Sequence, residues 1–138
     1  MALGGLLVGS LYAAGSSATV AWPAGLGTEQ GNPRDLYVID GDTFDLGGTR
    51  VRIADIDTPE TRGRCAYETQ LAARATARMR ALLVQGPFEL HRTGTRDEDR
   101  YGRKLRIVTR GGHSLGDMLV AEGLARTWSG RRDRKSVV

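Results

Sequence analysis

The sequence predicts an α+β domain that is mainly β: a five-stranded OB-fold Greek-key barrel with two packed helices, in the order β-β-β-α-β-β-α. Two observations predict it. Five short apolar runs are bounded by turn residues, and one long amphipathic segment falls between the third run and the fourth. With 138 residues, the chain has room for one such domain and little more.

Three strands open the predicted domain, separated by two turn sequences. The first, residues 35–40, ends at an Asp-Gly turn, and the second, residues 42–46, ends at a Gly-Gly pair that favours a tight hairpin. The third, residues 49–56, alternates Val and Ile with Arg, so one face is apolar and the other is cationic. Pro59 ends the pattern.

A helix is expected over residues 66–83, because Leu71, Ala75, Met79 and Leu82 recur at helical spacing. Gln-Gly-Pro follows the helix and ends it.

Two further strands are expected at residues 88–92 and 104–109, with a polar loop between them. Ser114 and, three residues on, Asp117 are typical of a helix N-terminal capping box. A second helix is therefore expected to run through Glu122, where a glycine ends it.

The chain divides by charge into three segments. Residues 1–33 contain one charged side chain, Glu29, and their apolar core followed by small residues resembles a secretory signal. We expect residues 1–33 to be a signal peptide, a signal-anchor or a flexible linker, residues 34–129 the working domain, and residues 130–138 a basic tail. The protein is then secreted or periplasmic, with membrane contact only if the apolar segment stays as an anchor.

Composition excludes several classes of protein. An apolar fraction of 40% argues against disorder of the whole chain, and a single cysteine, Cys65, excludes a disulfide framework. From residue 34 onward all 20 basic residues stand against 15 of the 16 acidic ones, a balance of +5 that favours nucleic acid as partner. The two histidines, His91 and His113, are too isolated for a zinc site.

Three carboxylates lie close to predicted strand ends: Asp42, Asp57 and Glu60. Hairpin folding brings Asp42 near Asp57, and two carboxylates with a backbone carbonyl suit a cation that prefers oxygen, Ca²⁺ above all. Aspartates beside Gly and Pro are also ordinary turn formers. The carboxylates therefore predict a calcium site only together with other groups.

Two arginines supply those groups. Arg52 projects from the strand that leads into the carboxylates, and Arg103 shares the strand parity of Leu105, so we expect it to point inward and to need an anionic partner. Guanidinium groups bind phosphate oxygens in pairs and stabilise charge in a transition state, while Glu60 is placed to activate water. The combination predicts phosphodiester hydrolysis.

Three ordered motifs resemble those of a known family: IDGDT at residues 39–43, VRIADIDTPET at residues 51–61 and DRYGR at residues 99–103. Over residues 36–125 the chain resembles the thermonuclease (staphylococcal-nuclease-like) family. The resemblance implies an OB-fold barrel and a Ca²⁺-dependent endonuclease. In the family, DNA and RNA are cleaved at the bond to the 5′ oxygen, which leaves 3′-phosphate ends.

The resemblance also implies ligands. Asp42, Asp57 and the backbone carbonyl of Thr58 match the calcium ligands of the family. Arg100 and Tyr101 fall where the family contacts the substrate nucleotide.

Three positions match the family's catalytic residues. Glu60 matches the general base, and Arg52 and Arg103 match the arginines that bind the phosphate. The family's tyrosine-bearing loop after the second helix is replaced by a stretch without tyrosine, in which Trp128 either stacks on a base or closes the barrel end.

Other functions remain open beside this one. A barrel that only binds nucleic acid would not need the five charged side chains together, namely Asp42, Arg52, Asp57, Glu60 and Arg103. A calcium-binding protein without activity would gain nothing from the arginines, because they repel the ion. Length and charge do not exclude a phosphodiesterase for small nucleotides. The expected partners are DNA and RNA substrates, with no stable protein partner and a monomeric state.

Overall fold

The computed structural model describes residues 28–94 and 96–129. Its elements, in chain order, are β1 (Thr28–Gly31), β2 (Leu36–Asp40), β3 (Thr43–Leu46), β4 (Thr49–Ile53), β5 (Ile56–Asp57), α1 (Ala66–Leu83), β6 (Phe88–Arg92), β7 (Lys104–Arg110), β8 (His113–Ser114), α2 (Leu115–Ala121) and β9 (Arg126–Thr127). The predicted signal or anchor segment before residue 28 and the basic tail from residue 130 lie outside the described residues.

One curled sheet contains most of the strands, in the order β1-β6-β7-β4-β3-β2, with β8 paired to β7. Neighbouring strands are antiparallel except for β4 and β7, which run parallel. The two-stranded ribbon of β5 and β9 is separate from it. The predicted fold class is confirmed: the domain is α+β, mainly β, with an OB-like sheet and two helices.

The hairpin between β3 and β4 forms at the predicted Gly-Gly pair. Gly47 and Gly48 have φ angles of 58° and 89°, a left-handed conformation that glycine adopts without the steric cost of a Cβ. The turn puts Phe44 opposite Val51, so both side chains enter the core. Thr43 pairs with Arg52 on the opposite face of the hairpin, and this face is turned towards the carboxylates.

The core lies between the curled sheet and the helices. α1 has the predicted bounds, and it buries Ala75, Met79 and Leu82 against the sheet. Phe44 of β3 and Phe88 of β6 meet edge to face, with ring centroids 5.9 Å apart. Within the described residues, no helix is long and apolar enough to cross a membrane.

Two strand assignments from the sequence are wrong. The sheet begins before residue 34, because β1, which was assigned to a linker, pairs with β6 over four residues. Such pairing uses main-chain hydrogen bonds and needs no apolar pattern. The third predicted strand ends at Ile53 instead of residue 56, and after a two-residue turn the chain continues as β5, which pairs with β9.

Candidate active site

Asp42 is held in the turn between β2 and β3. Its Oδ1 accepts a hydrogen bond from the Thr43 hydroxyl at 2.9 Å, and its Oδ2 accepts one from the Thr58 backbone N–H at 3.2 Å. The residue is only 8% exposed. Both carboxylate oxygens therefore have fixed positions, and the loop that begins at Thr58 is tied to the turn.

Arg52 joins the two carboxylates predicted as calcium ligands. Its Nη2 lies 3.5 Å from Asp42 Oδ2 and 3.4 Å from Asp57 Oδ1. Its Nη1 donates to the backbone carbonyls of Ile53 and Ile56, at 2.9 Å in the second case. The guanidinium thus bridges Asp42 and Asp57 and also fixes the turn between β4 and β5.

These groups line an open cleft of about 460 Å³, which contains six of the eight predicted site residues. The six are Asp42, Arg52, Asp57, Thr58, Glu60 and Arg103. Glu60 is exposed, and its carboxylate makes no hydrogen bond or ion pair with a residue that the structure describes. The Glu60 carboxylate is therefore accessible from the cleft and from solvent.

Arg103 reaches the cleft by a route other than the predicted one. The inward-facing residues of β7 are Arg106 and Val108, so the parity argument that placed Arg103 beside Leu105 on the apolar side is wrong. Arg103 precedes the strand and turns back onto Asp99, with 2.6 Å from its Nε to Asp99 Oδ2.

Asp99 is the anionic partner that Arg103 needs. It accepts hydrogen bonds from the backbone N–H groups of Tyr101 and Arg103, at 2.9 Å and 3.0 Å, as well as from the Arg103 side chain. Burial alone would raise the pKa of Asp99, but these hydrogen bonds outweigh it and lower the pKa. The sequence analysis missed this residue, although it begins the DRYGR motif.

Arg100 and Tyr101 lie beside the cleft and do not line it. The Arg100 Nη2 lies 2.6 Å from the Tyr101 hydroxyl oxygen, and the guanidinium carbons of Arg100 and Arg103 lie 4.8 Å and 5.4 Å from the centre of the Tyr101 ring. Both cations therefore lie within cation–π distance of the ring. Their assignment to substrate binding stays a prediction.

Five further residues line the cleft beside the predicted site residues: Asp40, Thr43, Pro59, Thr61 and Arg62. The Thr61 hydroxyl donates to the Asp40 carboxylate, which ties the far end of the loop to β2. Arg62 adds an exposed cation. It lies three residues after Pro59 and directly after the motif, and this position was the feature of the sequence that could have indicated its place in the site.

The groups in the cleft that could bind a cation offer oxygen atoms, and hard cations prefer oxygen ligands. Two carboxylates share one cationic partner in Arg52, and the Thr58 backbone lies against Asp42. No group of three or more His, Cys, Asp or Glu side chains is arranged to hold a metal in the described part of the chain. Asp42 and Asp57 are oxygen donors of the kind that Ca²⁺ prefers, so these two residues could hold such an ion together with other oxygen ligands.

The sequence is similar to those of known nucleases. A family described as "Staphylococcal nuclease homologue" matches residues 50–137. A curated protein named "Endonuclease YhcR", from Bacillus subtilis (strain 168), is 32% identical over 102 residues. The matched stretch is 66% of this chain and 8% of that protein, so the chain spans a small part of the relative's length.

Proposed function

Since the chain belongs to the family of staphylococcal nuclease homologues, we propose that it is a Ca²⁺-dependent endonuclease that hydrolyses phosphodiester bonds of DNA and RNA. One observation supports this above the others. Two carboxylates, two arginines and Glu60, which has no partner among the described residues, line one open cleft, although they come from segments up to 61 residues apart in the sequence, Asp42 to Arg103.

Glu60 acts as the general base in this proposal. A carboxylate without a partner can accept the proton of the attacking water, whose oxygen forms the new bond to phosphorus. The bond from phosphorus to the 5′ oxygen breaks, the leaving oxygen takes a proton from solvent, and the products are a 3′-phosphate and a 5′-hydroxyl.

Arg52 and Arg103 stabilise the charge that develops on the phosphate oxygens. Each guanidinium is held by carboxylates, Arg52 by Asp42 and Asp57 and Arg103 by Asp99. Donors whose positions are fixed before the reaction need no reorganisation during it, which makes them effective in a transition state.

Asp42, Asp57 and the carbonyl of Thr58 would hold the calcium ion. When bound, the ion supplies electrostatic polarisation of the phosphoryl group. Without a cation, the two carboxylates would repel a polyanionic substrate, and Arg52 offsets only part of their charge. We also propose that the enzyme is monomeric. The apolar residues before residue 28 favour a secreted or periplasmic location.

The full chain and a Glu60→Gln variant test this function. Glu60→Gln keeps the shape of the side chain and removes the base, so we expect turnover to fall by about 10²- to 10⁴-fold with an unchanged melting temperature. Both proteins are incubated with plasmid DNA and with RNA, in millimolar Ca²⁺ or in EDTA, and the products are tested for 3′-phosphate ends.

Cleavage by the wild type in Ca²⁺ alone is the expected result. Intact DNA that shifts on a gel would instead indicate a binding module. If Glu60→Gln cleaves as fast as the wild type, Glu60 has no part in the mechanism. If cleavage continues in EDTA, the mechanism does not require Ca²⁺.

A further inference from the structure

A second cavity lies beside the candidate active site. It has a volume of about 400 Å³ and is formed by the first turns of α1 and the segment that follows α2. Asp57, Thr58 and Pro59 line this cavity and the cleft alike, so one loop separates the two. Its volume is within the usual range of small-molecule sites, roughly 300–1,000 Å³.

The lining of this cavity differs from that of the cleft. Leu71, Leu124 and Ala125 give it apolar walls, and all three also pack on the core. Tyr67 borders it with a side chain that is 72% exposed, and Arg126 contributes an exposed cation. An apolar cavity with an accessible aromatic ring and a nearby cation suits a flat, uncharged ring attached to a phosphate.

We propose that this cavity is a base subsite, which binds one nucleobase of the strand whose phosphate lies in the cleft. This inference rests on the proposed function, because it assumes that the cleft binds a nucleic acid phosphate. The loop 57–59 faces the phosphate on one side and the base on the other. A base that enters the cavity must be unpaired, since a paired base is stacked inside its duplex.

Charge favours a base over other occupants. Asp57 and Glu68 on the lining would repel a carboxylate or a free phosphate, whereas an uncharged base meets no such repulsion. Glu68 accepts a hydrogen bond from the Arg64 backbone N–H at 2.8 Å, which holds its carboxylate at the start of α1. Arg126 lines the cavity and is exposed to solvent. In this proposal it lies close to the next phosphate of the bound strand.

Cys65 offers a direct readout of occupancy. It is the one cysteine of the chain, it is exposed, and it lines the cavity. In the Glu60→Gln variant, we measure the rate of alkylation of Cys65 by iodoacetamide. An oligothymidylate should slow alkylation several-fold, whereas an abasic oligonucleotide of the same length should leave the rate unchanged.

Tyr67→Ala tests the contribution of the aromatic ring. Tyr37→Ala is the matched control, because Tyr37 is equally exposed, at 70%, and does not line the cavity. On oligonucleotides with one cleavable linkage, Tyr67→Ala should raise KM by about 5- to 150-fold with little change in kcat. Tyr67→Phe should behave as wild type, and abasic substrates should not distinguish the variants.

The outcomes separate the two proposals. If the wild type cleaves DNA but both oligonucleotides leave Cys65 equally reactive, or if Tyr67→Ala matches Tyr37→Ala, the base subsite is wrong while the nuclease function stands. If the wild type cleaves nothing, the nuclease function is wrong. In that case base-dependent protection of Cys65 would still support the subsite, and equal reactivity would overturn it.

Discussion

Three cationic side chains converge on Asp97, in the loop that precedes β7. Lys104 Nζ lies 2.9 Å and Arg106 Nη1 2.8 Å from its carboxylate, and Arg92 Nε lies at 3.3 Å. Lys104 first, and then Arg106, lower the pKa of Asp97 to about 2. Asp97 therefore anchors the loop that bears Arg103, and it offsets the charge of Arg106, which is nearly buried.

This pairing predicts an effect of acid on stability. Because the pKa of Asp97 is lowered in the folded state, its contribution is present above about pH 4, the value for an unpaired Asp, and is lost as pH falls towards 2. In Asp97→Asn we expect a lower free energy of unfolding at pH 7 and a flatter decline between pH 4 and 2. Urea unfolding at a series of pH values measures both.

Asp35→Asn is the control, because Asp35 is exposed and makes no ion pair within the described residues. It should keep the wild-type pH dependence. Identical pH dependence in Asp97→Asn and the wild type would mean that Asp97 is not a source of acid sensitivity.

At this scale the sequence predicts some positions well and others poorly. Asp42 and Asp57 follow from their places at strand ends, and the alternation in β4 puts Arg52 on their side. Arg103 was misplaced because the strand parity of β7 was extended to a residue before its first residue, Lys104. The turn before the strand contains Gly102 at a φ of 78°, and it directs the chain back onto Asp99.

Arg110 closes the C-terminal end of α1. It donates to the last-turn carbonyls of Leu82 at 2.6 Å and Leu83 at 3.4 Å, and to those of Gly86 at 2.7 Å and Pro87 at 3.1 Å just after the helix. The last carbonyls of a helix have no partners within the helix, so a guanidinium from another element can satisfy several of them together. α1 is in this way attached to the end of β7.

Arg110→Ala should therefore destabilise the domain by about 1–3 kcal/mol, because it leaves partly buried carbonyls without donors. Arg74→Ala is the control, since Arg74 lies exposed on the middle of α1. Chemical denaturation gives both values. A loss in Arg110→Ala no larger than that in Arg74→Ala would show that solvent replaces the guanidinium.

Elements with a clear period are predicted closely, and short ones are not. The bounds of α1 follow from its apolar spacing and from the Gly-Pro sequence after it. β1, β5 and β9 have two to four residues each, too few for a repeating pattern, and their place is set by the partner strand. Trp128 shows the same limit, because its backbone N–H donates to the Asp55 carbonyl at 2.9 Å, a contact that no spacing indicates.

Over the whole molecule, β1 covers β6, which has five residues, and is itself the edge strand of the sheet, with four residues. β6 pairs with β7 on one side, and β1 covers its other side. An uncovered edge strand would present unpaired backbone groups to other chains. Gly31 makes the approach possible, because a Cβ at this position would lie 2.1 Å from the Phe88 ring.

Gly31→Ala should lower the free energy of unfolding by about 1–3 kcal/mol, the usual cost of overpacking a core. Gly86→Ala is a matched control, since a Cβ there meets nothing within 4 Å. Thermal and urea unfolding compare the two. Equal stability of the two variants would show that β1 can move away from Phe88 at no cost.

The parallel pairing of β4 with β7 has a consequence for folding kinetics. Val51 lies opposite Lys104 and Arg52 opposite Leu105. The strand that bears Arg52 is therefore aligned with the segment that bears Arg103, although about fifty residues of chain separate them. Contacts between distant segments form late, because closing a long loop costs entropy before the contacts repay it. Helical circular dichroism should thus recover before the proposed nuclease activity during refolding, and the return of that activity should follow the slowest phase.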